Sequence, residues 1–178
     1  MPSFTKKAIV ETFLHLVAKK PLEKITVRDV VDECGINRNT FYYYFQDIYA
    51  VLEGLCDTAI EEIPHGCGVG EALSAFFGIL AEFSLTHMRA VQHLLASVGR
   101  DGAERYFAEG LDAVIDGALA RSGEKDAVER RFTVLFLRHA VIGIFADWLA
   151  DDGKREIGSV AARIAAITDR TVKNTDKS

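Results

Sequence analysis

The sequence is short of the residues that mark several protein classes. It has only 3 prolines and 3 cysteines in 178 residues, and no long run of one charge. Cys34, Cys56 and Cys67 form no CxxC pair. An odd count without such a pair suits a reducing compartment better than a disulfide framework, so the three are predicted to be buried structural thiols. The opening MPSFTKKAIVETF has no long apolar stretch behind its lysines and no small-residue cleavage site, which argues against a secretion signal and for a cytoplasmic protein. Ala140 to Ala146 is the most apolar later run and falls far short of a membrane span; Arg138, His139 and Asp147 bracket it.

Catalytic and metal-binding patterns are equally sparse. The GCGVG at 66–70 lacks the GxGxxG spacing and follows a helix and Pro64, not a strand, so it reads as a linker. There is no Walker loop, no paired-histidine motif and no Ser-His-Asp arrangement, and the scattered carboxylates read as solvated helix faces. His65 and Cys67, with His87, His93 or His139 brought in by the fold, make a poor metal site. No enzyme activity, cofactor or metal is predicted.

What is present is a helical, globular composition, 49% hydrophobic and 26% charged. Apolar residues recur at spacings of three and four almost throughout, and no stretch alternates for long, which predicts an all-α fold of about nine helices. Ala8, Ile9, Phe13, Leu16 and Val17 define a first amphipathic helix closed by Lys19, Lys20 and Pro21. Thr26 is a predicted N-cap with Asp29 in a capping-box position, and Gly35 ends that helix. Asn37 caps a third helix from Arg38 to Phe45; Asp47 caps a fourth from Ile48 to about Ile63. Pro64 and the glycines after it divide a first domain, 1–63, from a second, 64–178. Helices are predicted near 70–86, 89–98, 102–121, 126–150 and 154–170, with a frayed tail at 173–178.

Charge is unevenly shared. The net charge is −5, yet residues 1–49 hold seven Lys and Arg against six Asp and Glu, leaving the acidity to the remainder. The first part is therefore free to meet a polyanion. Ile25 to Asp47, ITVRDVVDECGINRNTFYYYFQD, is a helix, a glycine turn and a short second helix, which is a helix-turn-helix layout. Such a second helix enters the major groove leading with its N-terminal residues, here Arg38, Asn39 and Thr40. Arg can donate twice to a guanine edge, Asn can pair with adenine, and Thr or Tyr hydroxyls reach phosphates. Phe41 and Phe45, four apart, are predicted to face inward. The same spacing also suits an ordinary three-helix core covered by tyrosines whose hydroxyls stay wet.

The string resembles the TetR family signature: a Thr-Val-Arg start, a Cys-Gly turn, a Thr, a Tyr-Tyr pair and a Phe in that order, over about residues 5–60. The resemblance implies a DNA-binding transcriptional regulator built as a three-helix DNA-binding domain followed by a helical ligand-binding and dimerisation domain. Thr26 and Arg28 would contact the DNA backbone or nearby bases, and Asn37, Arg38, Asn39, Thr40, Tyr42, Tyr43 and Tyr44 would form the recognition surface. The sequence departs from the pattern at Asn39, where a small residue is frequent, and at Ile48, where a Lys is common.

In the second domain FTVLFLRHAVIGIFADWLA, 132–150, is apolar nearly all round and must be buried on more than one side. The family implies a two-fold homodimer through the last two helices, here with Val141 and Phe145 opposite Ile157, Val160 and Ile164, and a palindromic double-stranded operator. Phe76, Phe77, Leu80, Phe83, Phe107 and Trp148 would line a pocket for a small-molecule inducer, although aromatics at helical spacing also make plain core. Gly143, Trp148 and Gly153 resemble a subgroup that includes a regulator of dihydroxyacetone kinase genes, implying as an alternative a coactivator working through a protein partner.

Overall fold

The computed structural model describes residues 4–122 and 126–175. Among them are eight α-helices, one 3₁₀ turn and no strand: α1 Phe4–Val17, the turn Leu22–Lys24, α2 Val27–Cys34, α3 Arg38–Tyr44, α4 Ile48–Glu61, α5 Val69–Thr86, α6 Met88–Ser122, α7 Ala127–Ala150 and α8 Ile157–Thr175. The all-α prediction holds. Of the predicted tail, 173–175 continue α8 and the last three residues lie outside the described set.

Helix ends fall where side chains can satisfy the free backbone groups. The Thr26 hydroxyl accepts from Asp29 N–H at 3.2 Å, while the Asp29 carboxylate accepts from Thr26 N–H at 2.8 Å, closing a capping box. Gly35 adopts φ 72°, ψ 28°, and a Cβ there would meet nothing within 4 Å. The backbone conformation alone calls for glycine. Asp47 Oδ1 accepts from Ala50 N–H at 2.8 Å, and Asp126 Oδ1 from Val128 and Glu129 N–H at 2.8 and 3.0 Å, starting α4 and α7. The predicted helices 89–98 and 102–121 are the two arms of α6, separated by Gly99 at φ 69°, ψ 176°.

The chain packs into two compact units. The first comprises the chain to Asp57 together with Thr86–Tyr106; the second comprises Thr58–Leu85 and the chain from Phe107 on. A division at residue 64 cuts the chain once, whereas packing assigns 86–106 to the first unit. There Ile9, Phe13, Val17, Val30 and Phe41 are buried together with Ala90, Val91 and Leu94 of α6. Two polar links tie α6 to the N-terminal helices: His93 Nδ1 donates to the Val17 carbonyl at 2.8 Å, and Leu22 N–H to Ser97 Oγ at 3.3 Å. The first satisfies a carbonyl that the end of α1 leaves without a helical partner.

In the second unit Phe76, Phe77, Leu111, Ile115 and Trp148 are fully buried. By length and composition α5 and α7 could each cross a bilayer, a property the seven-residue run at 140–146 conceals. Their apolar side chains instead supply this core, with Leu73, Phe76 and Phe77 from α5 and Leu137, Val141 and Trp148 from α7 all buried. Of the three cysteines only Cys56 is buried; Cys34 and Cys67 are partly exposed. Burial pushes the Cys56 thiol up to about 12, helped by Asp57 and Glu53, so it stays protonated and inert at neutral pH.

Candidate nucleic-acid interface

The two helices of the predicted motif are held by their caps and by one buried ring. Phe41 is fully buried and Phe45 nearly so, their centroids 6.0 Å apart, as the four-residue spacing predicts. With that side fixed, α3 turns Arg38, Asn39, Tyr42 and Tyr43 to solvent. Tyr42 is 52% exposed and Tyr43 81%. Residues four apart are neighbours on a helix, so Arg38 lies beside Tyr42 and Asn39 beside Tyr43. Two polar, aromatic rows thus run along one open face. Tyr44 is half-buried, with its ring edge-on to Tyr43 at 4.9 Å.

The other predicted contacts are already engaged. Asn37 Oδ1 accepts from Thr40 N–H at 2.8 Å and from the Thr40 hydroxyl at 3.2 Å, so the Asn37 carbonyl serves as the cap of α3. The Thr26 hydroxyl donates to Asp29 Oδ2 at 2.7 Å while accepting from Asp29 N–H. Arg28 reaches Asp32 at 3.4 Å, a loose i,i+4 pair between two exposed side chains that a phosphate can replace. Ile48 is buried at the start of α4. It belongs to the core of this domain and offers the DNA backbone no cation at the position where Lys is common.

Electrostatics organises the edge of the motif. Lys20 lies 3.0 Å from Asp29, and Lys19 at 3.5 Å and His15 at 2.5 Å both face Glu33. Hydrogen bonds from the Thr26 hydroxyl and from Lys20 lower the Asp29 carboxyl to about 2. The Glu33 carboxyl is lowered too, mainly by its hydrogen bond to His15. Such links from α1 and the turn after it to α2 join residues 9 to 18 positions apart, and nothing in the helical spacing pairs them.

The lowered Asp29 value has a testable sign. Unfolded, its pKa is about 3.9. The network's contribution is therefore complete above about pH 4 and is lost as pH falls toward 2. Thr26→Ala should raise the Asp29 pKa toward the ordinary value, measured by carboxyl-carbon NMR titration, and cost about 1 kcal/mol in urea unfolding. An unchanged Asp29 titration would show that the capping box does not hold in solution.

The other predicted residues form no comparable open site. Phe76, Phe77 and Trp148 are buried, Leu80 nearly so, and Phe83 and Phe107 are partly exposed. Phe76 packs edge-on against Phe107 at 5.3 Å, and Phe77 against Trp148 at 5.9 Å. A ligand among them must part these rings. A cleft of about 400 Å³ lies elsewhere, lined by Asp112, Ala113, Asp116, Ala127, Arg130, Arg131 and Val134, and Arg130 is paired to Asp116 across it at 2.8 Å. Among the described residues no three His, Cys, Asp or Glu gather as a metal site.

Of the predicted dimer residues, Val141, Phe145 and Ile164 are buried within the chain itself, while Ile157 and Val160 are partly exposed. The apolar side chains that α7 turns outward are Val128, Phe132, Leu135, Phe136 and Ile144; α8 adds Ile167. The helix is two-faced, but an all-apolar sequence does not reveal which face its own chain covers.

An open polar helix presented by a capped helix-turn-helix defines a DNA-binding regulator of the helix-turn-helix class. Comparison with known proteins carries this further. The family profile "Bacterial regulatory proteins, tetR family" matches residues 9–55, and "Transcriptional regulator C-terminal region" matches 71–170. The chain belongs to the TetR family of bacterial transcription regulators, not to an enzyme family.

Among curated relatives, the HTH-type transcriptional regulator EthR of Mycobacterium tuberculosis is 40% identical over 55 residues, 31% of this chain and 26% of EthR. YerO of Bacillus subtilis, an uncharacterised HTH-type transcriptional regulator, is 35% identical over 52 residues, 29% of this chain. That match spans only 18% of YerO. Among solved structures, the dihydroxyacetone kinase operon activator DhaS superposes with a TM-score of 0.69 at 17% identity, covering 96% of this chain and 97% of DhaS. A TetR transcriptional regulator from Streptococcus agalactiae gives 0.61 at 21%, covering 92% and 93%. At these identities the superpositions establish the fold.

Proposed function

We propose that this protein is a cytoplasmic transcriptional repressor that binds a palindromic operator as a homodimer and is released by a small molecule. The observation that carries the reading is the exposed face of α3, where Arg38, Asn39, Tyr42 and Tyr43 are turned to solvent on a backbone fixed by Asn37 and Phe41. Arg and Asn supply base-edge hydrogen bonds, tyrosine hydroxyls bond to phosphate, and the exposed cations Lys7, Lys24 and Arg28 lie on the same small domain. A partner-only coactivator would not require base-reading chemistry at the leading turn of this helix.

Dimerisation is assigned to the outward face of α7, Val128, Phe132, Leu135 and Phe136, with Ile144 and with Ile167 of α8. Val128 is 80% and Phe132 65% exposed in one chain, an apolar stripe that a second copy would cover, in keeping with the dimers usual in this family. The proposed inducer would enter among the aromatics of α5 and α6, where Phe83 and Phe107 are partly exposed, and act by favouring one packing of those rings over another. The structure of FadR from Bacillus subtilis in complex with stearoyl-CoA, which superposes with a TM-score of 0.57 at 11% identity over 91% of this chain and 96% of FadR, shows a ligand held in this fold.

Fluorescence anisotropy with DNA from upstream of the gene should show selective binding that weakens steeply with salt. Arg38→Ala should weaken operator binding roughly 5- to 150-fold while leaving nonspecific binding nearly unchanged. Equal affinity of the native protein for operator and scrambled DNA would overturn the reading.

A further inference from the structure

We propose that Asn39 is a specificity determinant that reads an adenine in each half of the operator, close to a guanine read by Arg38. This rests on the DNA-binding reading above and extends it to the chemistry of the sequence bound.

The two asparagines of the motif have separate tasks. Asn37 spends its carbonyl on Thr40 and holds the first turn of α3. Asn39, two residues on, is exposed, and its carboxamide makes no hydrogen bond among the described residues. It sits in the leading turn, beside Arg38, which likewise is exposed and makes no ion pair among the described residues.

A free carboxamide presents a donor and an acceptor side by side, which matches adenine N6 and N7 in the major groove; a guanidinium matches guanine O6 and N7. Phosphates, by contrast, accept only, and the neighbouring Tyr42 and Tyr43 hydroxyls and the domain's lysines supply donors for them. Asn39 is the one exposed residue of α3 whose side chain carries both functions in a plane. The seven residues of α3 span about 10 Å, roughly three base-pair steps. The adenine and the guanine therefore fall within about three base pairs of each other in each half-site.

The test is selection from randomised duplex DNA, followed by sequencing, with the native protein, Asn39→Ala and Asn39→Gln. The native protein should enrich an inverted repeat with an invariant adenine within three positions of a guanine. Asn39→Ala should lose the preference at the adenine alone, with discrimination there falling roughly 5- to 150-fold while the guanine is kept. Asn39→Gln, which restores a carboxamide, should recover part of the preference.

If the native protein enriches a sequence and Asn39→Ala enriches the same one, binding only more weakly, then Asn39 contacts the backbone and the inference is overturned while the DNA-binding reading stands. If the native protein enriches nothing, both fall. The helix content of each variant, measured by circular dichroism, keeps misfolding apart from lost readout.

Discussion

Replacing Phe132 and Phe136 together with glutamate is expected to split the protein into monomers and to weaken operator binding by two to four orders of magnitude. The two residues lie four apart on α7 and are 65% and 53% exposed, so in a lone chain more than half of each faces solvent. In the proposed dimer they are the centre of the apolar stripe. Four carboxylates brought together there would have to lose their water without a partner cation, which the association cannot offset. Light scattering should fall from about twice 19.6 kDa to about 19.6 kDa. Binding should weaken because the second half-site contact ceases to be intramolecular, a linkage worth about 10² to 10⁴ in affinity. An unchanged helical circular dichroism spectrum would confirm that the fold survives, and a variant that keeps the dimer mass would reject this face as the interface.

Phe145→Glu, which the apolar pattern of 132–150 nominates for the same purpose, is a different experiment. Phe145 is buried and stacked on Trp148 at 6.1 Å, so a carboxylate there breaks the core before it reaches any interface. Periodicity identifies a helix with too many apolar positions. It does not assign those positions between the chain's own core and a second copy, because both demand the same residue types. Only the placement of α5 and α6 against α7 separates Val141 and Phe145 from Phe132 and Phe136.

The DNA-binding motif was legible for the opposite reason: its determinants are local. A cap, a glycine in the left-handed region and two phenylalanines four apart act over fewer than ten residues, and Thr26, Gly35, Asn37, Phe41 and Phe45 all behave as the sequence predicts. What local reading conflates is the cap with the contact. Thr26, Asn37 and Thr40 have side chains that suit DNA, but the Thr26 hydroxyl caps α2, the Asn37 carbonyl caps α3, and the Thr40 hydroxyl donates to that same Asn37 carbonyl. Long-range links stayed hidden. The His93 bond to Val17 and the Ser97 bond to Leu22 join positions about 75 apart, where no spacing rule applies.

Trp148→Ala is expected to produce the largest loss of stability, about 3 to 5 kcal/mol, lowering Tm by roughly 6 to 20 °C. The ring is 1% exposed, meets Phe77 edge-on and Phe145 face-on, and donates its Nε1 hydrogen to the Arg155 carbonyl at 2.9 Å. Gly153 explains why the chain can pass so close. It lies at φ 66°, and a Cβ on it would stand 2.9 Å from the indole. The Trp148 and Gly153 of the sequence pattern are thus two halves of one contact that closes α7 and directs the chain toward α8. Trp148→Phe keeps an aromatic ring but removes the donor, so its loss should be smaller, the part due to the hydrogen bond being about 1 kcal/mol. Because this is the sole tryptophan, its fluorescence reports the same site during unfolding of the native protein. Circular dichroism melts compare the three proteins, and a Trp148→Ala variant melting within 2 °C of the native protein would show that this corner does not anchor the fold.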